Sequence, residues 1–271
     1  MSYPADQILL KIKKMNSKIS SILYLISGNS FLRSSLNRFT NGKTLTGEYH
    51  SDKVRLKYRF FEPEAQSDAP LLVILHGADG RGIDNKKQLN FATTNLIREI
   101  KKRHSPLILL PQCPSDHAWT INPDKPFNNF DLDSIPVSPT LEIVRDIVLK
   151  LAEEYHIDTD RIYIIGSSMG GTGTWEIILR NPGLFAAAVS ICAASDPSKA
   201  ALVKDVHIWA FSAGKDKYYD YRETEETVEK LKEYESDIKY TFYKDQGHNI
   251  GELVSKDPEV IDWLFAQRKK K

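Results

Sequence analysis

Short, predominantly apolar runs separated by longer amphipathic stretches form the most regular pattern in the chain. Residues 71–75, 107–110, 162–165, 185–191 and 206–211 leave no polar face, as expected of strands buried on both sides. Residues 53–61 alternate instead, with Val54, Leu56, Tyr58 and Phe60 on one side, and residues 238–243 form a further short strand. Helical spacing fills the intervals. Leu89, Ala92, Leu96 and Ile100 share one face, as do Leu141, Val144, Ile147, Val148, Leu151 and Tyr155. Ser138-Pro139 reads as an N-cap followed by a first-turn proline, and Asp257-Pro258 opens a last helix with Val260, Ile261, Leu264 and Phe265 inside. Strands alternating with helices predict an α/β fold, with a mostly parallel sheet covered on both faces.

The first 50 residues differ. Ile8, Ile12, Met15, Ile19, Ile22 and Ile26 recur at helical spacing, with Lys11, Lys14 and Lys18 on another face. Three readings stay open: a helix packed on the main domain or on a second subunit, a basic helix on a membrane surface, or a targeting segment from Met15. Residues 31–47 are polar and read as a connector. The expected organisation is therefore an arm and connector over residues 1–48 and a catalytic domain over residues 49–271.

Composition narrows the partners. Net charge is +1 over 271 residues, so no general attraction to nucleic acid is implied. Charge is uneven, since residues 1–50 carry seven Lys/Arg against Asp6 and Glu48. Two cysteines, Cys113 and Cys192, supply neither a disulfide framework nor a metal-binding spacing, and both are expected as buried free thiols. No apolar run approaches the ~18 residues of a spanning helix. These features favour a cytoplasmic protein and offer no metal-binding pattern. Secretion, or membrane association through residues 1–28, is the alternative.

Candidate chemistry lies just past the strands, where ligands bind in open α/β sheets. Gly166-Ser167-Ser168-Met169-Gly170 follows a buried run and precedes a helix, matching the Gly-x-Ser-x-Gly nucleophile elbow with Ser168 at its apex. A serine hydroxyl needs a base to take its proton, and the base needs an acid to fix its tautomer. Asp216 and His248 each follow a later strand, in the order Ser, Asp, His. Asp196 and Asp220 are the rival acids. A developing oxyanion needs two donors, predicted as the backbone N–H of Met169 and of Ala78 in the His76-Gly77-Ala78 loop. The aromatic stretch of residues 115–137, with Trp119, Phe127 and Phe130, is expected on the rim of the site.

Together these segments resemble the α/β-hydrolase superfamily: residues 76–82 with Asp84-Asn85, Pro111-Gln112-Cys113-Pro114 with Trp119, residues 166–171, and Gly247-His248. They are similar to the esterase group that includes polyhydroxybutyrate-depolymerase-like and feruloyl-esterase-like enzymes. The resemblance covers about residues 50–268. It implies a cofactor-free serine esterase with Ser168, Asp216 and His248 as triad. It further implies that His76, Gly77, Gln112 and Trp119 border the substrate. The partner is then a small acyl or aryl ester, carbohydrate-linked esters included. A peptidase on short peptides and a non-catalytic binding protein are the alternatives. The N-terminal helix is the candidate for a homodimer or membrane contact.

Overall fold

The sheet begins earlier than the hydrophobic pattern predicts. In the computed structural model, which describes residues 44–52, 54–62, 68–120 and 130–270, Thr44–His50 form strand β1. It pairs antiparallel along its whole length with β2, Arg55–Phe61. The first four residues of β1 were expected to be connector, because residues 31–47 are polar and rich in Ser, Asn, Thr and Gly, Gly47 among them. The glycine is a packing feature instead. A Cβ on Gly47 would come 2.2 Å from Cζ of Tyr58, so the tyrosine ring occupies the space a side chain would need. The apolar stripe of residues 8–26 lies outside the described residues.

The remaining strands are β3 Leu71–Leu75, β4 Leu107–Gln112, β5 Ile162–Ser167, β6 Ala187–Ile191, β7 His207–Ala213 and β8 Ile238–Tyr243. They form one eight-stranded sheet in the order β1-β2-β4-β3-β5-β6-β7-β8. β2 meets β4 antiparallel, and every pairing from β4 to β8 is parallel. The strand β4 runs through Pro111, where the sequence reads as a break. Beyond Leu109 its only ladder is with β2, and a proline is tolerated where pairing is one-sided.

The period-2 geometry of a strand splits the apolar runs between two cores. Leu71, Val73 and Leu75 join one, while Leu72 and Ile74 join the other. Among the described residues, six helices cover them: α1 Phe91–Lys101, α2 Pro139–Glu154, α3 Met169–Arg180, α4 Tyr221–Glu233, α5 Gly251–Lys256 and α6 Pro258–Ala266. The first core takes Val144 and Val148 of α2, Trp175 and Ile178 of α3, and Val228 and Leu231 of α4. The second takes Leu96 and Ile100 of α1, Val254 of α5, and Ile261 and Leu264 of α6. A sheet covered in this way presents its strand ends, rather than its faces, to ligands. No helix among the described residues is long and apolar enough to cross a membrane.

Candidate active site

The apex of the β5–α3 turn is Ser168, at φ 59° and ψ −126°. A serine pays roughly 1–3 kcal/mol in such a conformation, so the surroundings must impose it. They do so through backbone. The Ser168 N–H donates to the Ile191 carbonyl at 2.8 Å, and the Thr172 N–H donates to the Ser168 carbonyl at 3.0 Å. Close packing completes the turn. A Cβ on Gly166 would meet the Gly170 carbonyl oxygen at 2.1 Å, and one on Gly170 would meet that of Leu75 at 2.1 Å. Helix α3 thus sits closer to β3 and β5 than any side chain at these two positions would permit.

His248 lies beyond β8 and Asp216 beyond β7, and the two loops are tied together. Gly214 N–H donates to the Tyr243 carbonyl at 3.0 Å, and Lys215 N–H to the Gln246 carbonyl at 2.9 Å. This brings Nδ1 of His248 2.8 Å from Oδ2 of Asp216, and Nε2 2.8 Å from Oγ of Ser168. The other carboxylate oxygen of Asp216 accepts from the N–H groups of Tyr218 and Tyr219 at 2.8 and 3.2 Å. Burial acts to raise the Asp216 pKa, but the bonds from His248 and these two amides outweigh it and hold the carboxyl below its ordinary value. An ionised Asp216 keeps the proton of His248 on Nδ1, leaving Nε2 as acceptor for the serine.

The rivals are otherwise engaged. Asp196 accepts from Ser198 N–H and Leu132 N–H, both at 2.9 Å, and Asp220 caps α4 by accepting from Arg222 N–H at 3.1 Å. Ser167, the elbow's other serine, lies toward α5: a Cβ on Gly251 would come 3.0 Å from its Oγ. Cys113 and Cys192 are free and buried, as expected. The Cys192 sulfur lies with Asp216 and His248 in a cluster whose donor atoms fall within 4.8 Å. Burial, then the charge of Asp216, push its thiol pKa up, so it serves as a protonated neighbour of the carboxylate.

The loop after β3 forms the opposite wall. Ala78–Gly80 make a single 3-10 turn, with Gly77 directly before it. Neither Ala78 N–H nor Met169 N–H is taken by a backbone carbonyl among the described residues. Met169 is the first residue of α3, where helix N–H groups lack intrahelical partners and the helix dipole favours negative charge. Gly77 and Ala78 both face the cleft.

Of the four residues expected to border the substrate, His76 and Gly77 line the cleft, while Gln112 and Trp119 lie buried away from it. His76 is 3% exposed, and both ring nitrogens face backbone: Nδ1 donates to the Gly77 carbonyl at 2.6 Å, and Nε2 accepts from Cys113 N–H at 3.0 Å. Burial, opposed by the Gly77 carbonyl, lowers its pKa from 6.5 to about 4, so the ring is neutral. Gln112 is fully buried. Its Oε1 accepts from Asn85 N–H at 2.6 Å, and its Nε2 donates to Asp84 Oδ1 at 2.8 Å and the Gly80 carbonyl at 3.2 Å. Trp119 is fully buried too, its Nε1 donating to the His76 carbonyl at 2.9 Å. Gln112 and Trp119 brace the loop from behind. The expectation of a rim is corrected likewise, since Trp119, Phe130, Leu132 and Ile135 pack into the first core. Phe127 lies outside the described residues.

The cleft in front of Ser168 holds about 700 Å³. Ile74, Leu96, Ile165 and Ile191 give it an apolar lining, and Tyr218, 54% exposed, stands at its edge beside His248. Sequence reasoning missed Tyr218 and the following Tyr219, whose ring stacks on the imidazole at 5.6 Å and 16°. The Tyr-Tyr pair starting two residues after Asp216 was the available signal. A second groove of about 530 Å³, lined by Arg59, Phe61, Ile97, Arg98 and Lys101, holds no nucleophile or base.

Residues 124–256 match the dienelactone hydrolase family. No curated protein sequence matches the chain. Among solved structures, a thermostable esterase is 33% identical, covers 84% of this chain and superposes with a TM-score of 0.74. The chain spans 64% of the length of that esterase. A feruloyl esterase module from Clostridium thermocellum, 11% identical, covers 90% of this chain and 99% of its own length, with a TM-score of 0.58. An S-formylglutathione hydrolase from Agrobacterium tumefaciens, 14% identical, covers 85% and 97%, also at 0.58. The sheet order and these likenesses show an α/β-hydrolase fold, similar over residues 124–256 to the dienelactone hydrolase family.

Proposed function

We propose that the protein is a serine carboxylic-ester hydrolase working through an acyl-enzyme on Ser168. The observation that carries this reading is the unbroken hydrogen-bond chain from Ser168 through His248 to Asp216, 2.8 Å on each side of the imidazole. As Ser168 Oγ attacks the ester carbonyl, His248 Nε2 takes its proton, and Asp216 stabilises the imidazolium. The carbonyl oxygen becomes an oxyanion between the N–H groups of Ala78 and Met169, each worth about 10²–10³ in turnover by comparison with a measured case. The leaving alcohol receives the proton from Nε2, and water then repeats the sequence to release the acid.

The cleft also guides the choice of substrate. Its apolar lining suits short acyl or aryl groups, with feruloyl and acetyl esters of carbohydrates among them. The likeness to esterases supports the ester over the amide. Purified full-length protein should hydrolyse p-nitrophenyl acetate or butyrate, or methyl ferulate. Ser168→Ala should lower turnover by on the order of 10⁴-fold or more without unfolding the protein. Retained activity in that variant would overturn the mechanism. Faster cleavage of aminoacyl anilides than of every ester would make the protein a peptidase instead.

A further inference from the structure

Charge is distributed one-sidedly over the surface of the cleft. Asp79, from the loop after β3, and Glu252, from α5, both line it, and no lysine or arginine among the described residues does. Asp79 stands close to the nucleophile. A Cβ on Gly77 would lie 3.2 Å from Asp79 Oδ1 and 3.6 Å from Cβ of Ser168, so carboxylate and serine flank the same glycine. The other oxygen, Oδ2, accepts from Nδ2 of Asn90 at 3.3 Å, a neutral partner that holds the group without cancelling its charge. Glu252 comes from a different element. It follows Gly251, where a Cβ would lie 3.0 Å from Ser167 Oγ, so the first turn of α5 abuts the elbow. Lys256 pairs with Glu252 at 2.5 Å, and Arg81 donates to the Ala78 carbonyl at 3.2 Å, but neither side chain lines the cleft.

We propose that Asp79 and Glu252 are specificity-determining residues that make the cleft select esters by charge, admitting uncharged and cationic ones and disfavouring those that carry a carboxylate. The inference rests on the ester-hydrolase reading above and narrows its substrate class. Its basis is the focusing of a field by apolar walls. Ile74, Leu96, Ile165 and Ile191 polarise little, so the field of the two carboxylates runs through the bound substrate as well as into water. The N-terminus of α3 favours negative charge, but this effect fades beyond the first turn and so acts at Ser168 itself. A carboxylate elsewhere on the substrate meets like charge. The same repulsion acts on the product, since hydrolysis turns a neutral ester into an acid that is ionised at neutral pH. Two fixed carboxylates therefore favour its departure.

Esters of one shape and different charge test this: p-acetoxybenzoate, p-acetoxybenzamide and p-acetoxyphenyltrimethylammonium. Each kcat/KM is divided by the rate at which hydroxide cleaves the same ester. In wild-type protein at low salt the cation should match or exceed the amide, and the amide should exceed the anion by roughly tenfold, about threefold for each carboxylate at a separation on the order of 8 Å. At about 1 M salt, where the screening length falls to about 3 Å, the preference should shrink to within about twofold. Asp79→Asn and Glu252→Gln should each bring the anion-to-amide ratio about threefold closer to one, and the double variant should close the gap. Inhibition of amide-ester cleavage by benzoate should tighten in the same order. A ratio divides out any general loss at the catalytic centre, so a displaced loop alone does not move it. Equal normalised rates in the wild-type protein, a preference that survives high salt, or an unchanged ratio in the double variant overturns the proposal. Failure of the ester-hydrolase reading looks different: wild-type protein would then cleave none of the three esters, whereas failure of charge selection alone leaves all three cleaved alike.

Discussion

The two walls of the cleft are built by different physics. The elbow wall is local: Ser168 is held at φ 59° by a glycine on each side of the turn, two strand ends and its own helix. The wall after β3 has no such internal logic. Its shape depends on side chains far away in sequence, with Gln112 gripping three groups of the loop and Trp119 holding the His76 carbonyl. The Ser168 side is thus specified by what fits in a tight turn, and the facing loop after β3 by what is packed behind it. They meet at Gly170, where a Cβ would strike the Leu75 carbonyl oxygen at 2.1 Å and that of His76 at 2.7 Å.

Breaking the braced wall should have the largest effect. Trp119→Ala should cost about 3–5 kcal/mol, as is usual for deleting a fully buried tryptophan, and turnover should fall with it; denaturant titration and ester kinetics read both. A loss below 1 kcal/mol would show that Trp119 fills space without supporting the loop. At the meeting point, Gly170→Ala should cost about 3 kcal/mol, because the obstacle is backbone rather than a mobile side chain. Unchanged stability in the same titration would mean that α3 shifts off the sheet without penalty.

His76 separates the walls by pH. Its folded pKa of about 4 lies below the ordinary 6.5, so between those values the unfolded chain binds a proton that the folded chain refuses. Stability should therefore fall as pH drops from 6.5 towards 4, by about 3 kcal/mol in all. Asp216 acts in the same direction but lower, its contribution being lost as pH falls below the ordinary 3.8 and through its depressed folded value. In His76→Gln the slope above pH 4 should flatten; a slope equal to wild type would assign acid sensitivity elsewhere.

The smallest change sharpens the comparison most. Gln112→Ala deletes the loop's clamp, and should cost about 1–3 kcal/mol for the buried groups left unpaired. Because the elbow is independent of Gln112, the Ser168–His248 pair should persist, and nuclear magnetic resonance of the imidazole can follow it. Ester turnover should fall through the donor loop. Equal disturbance of the imidazole signals would show that the two walls are one unit.

Much of this was legible from local pattern. The apolar runs became the central strands, and the glycine-serine turn became the elbow, because a buried strand and a crowded turn each restrict residue type at every position. Asp216 was separable from Asp196 and Asp220 only through structure: all three follow strands or turns, and two prove to be caps. The strand Thr44–His50 was missed because an edge strand tolerates polar residues, and because Gly47 makes room for a ring eleven residues away. Gln112 and Trp119 were assigned to the substrate by family resemblance alone, and polar and aromatic residues after a strand look the same in sequence whether they face a ligand or a loop.

Sequence by itself determined the fold class, the order of serine, acid and histidine, and the identity of the apex serine. These follow from periodicity and backbone sterics, which act over a few residues. Tertiary structure alone decided which side chains meet the cleft and which brace it, and that Tyr219 stacks on His248. Those outcomes depend on contacts between residues dozens of positions apart, where direction and depth are set by packing rather than by residue type.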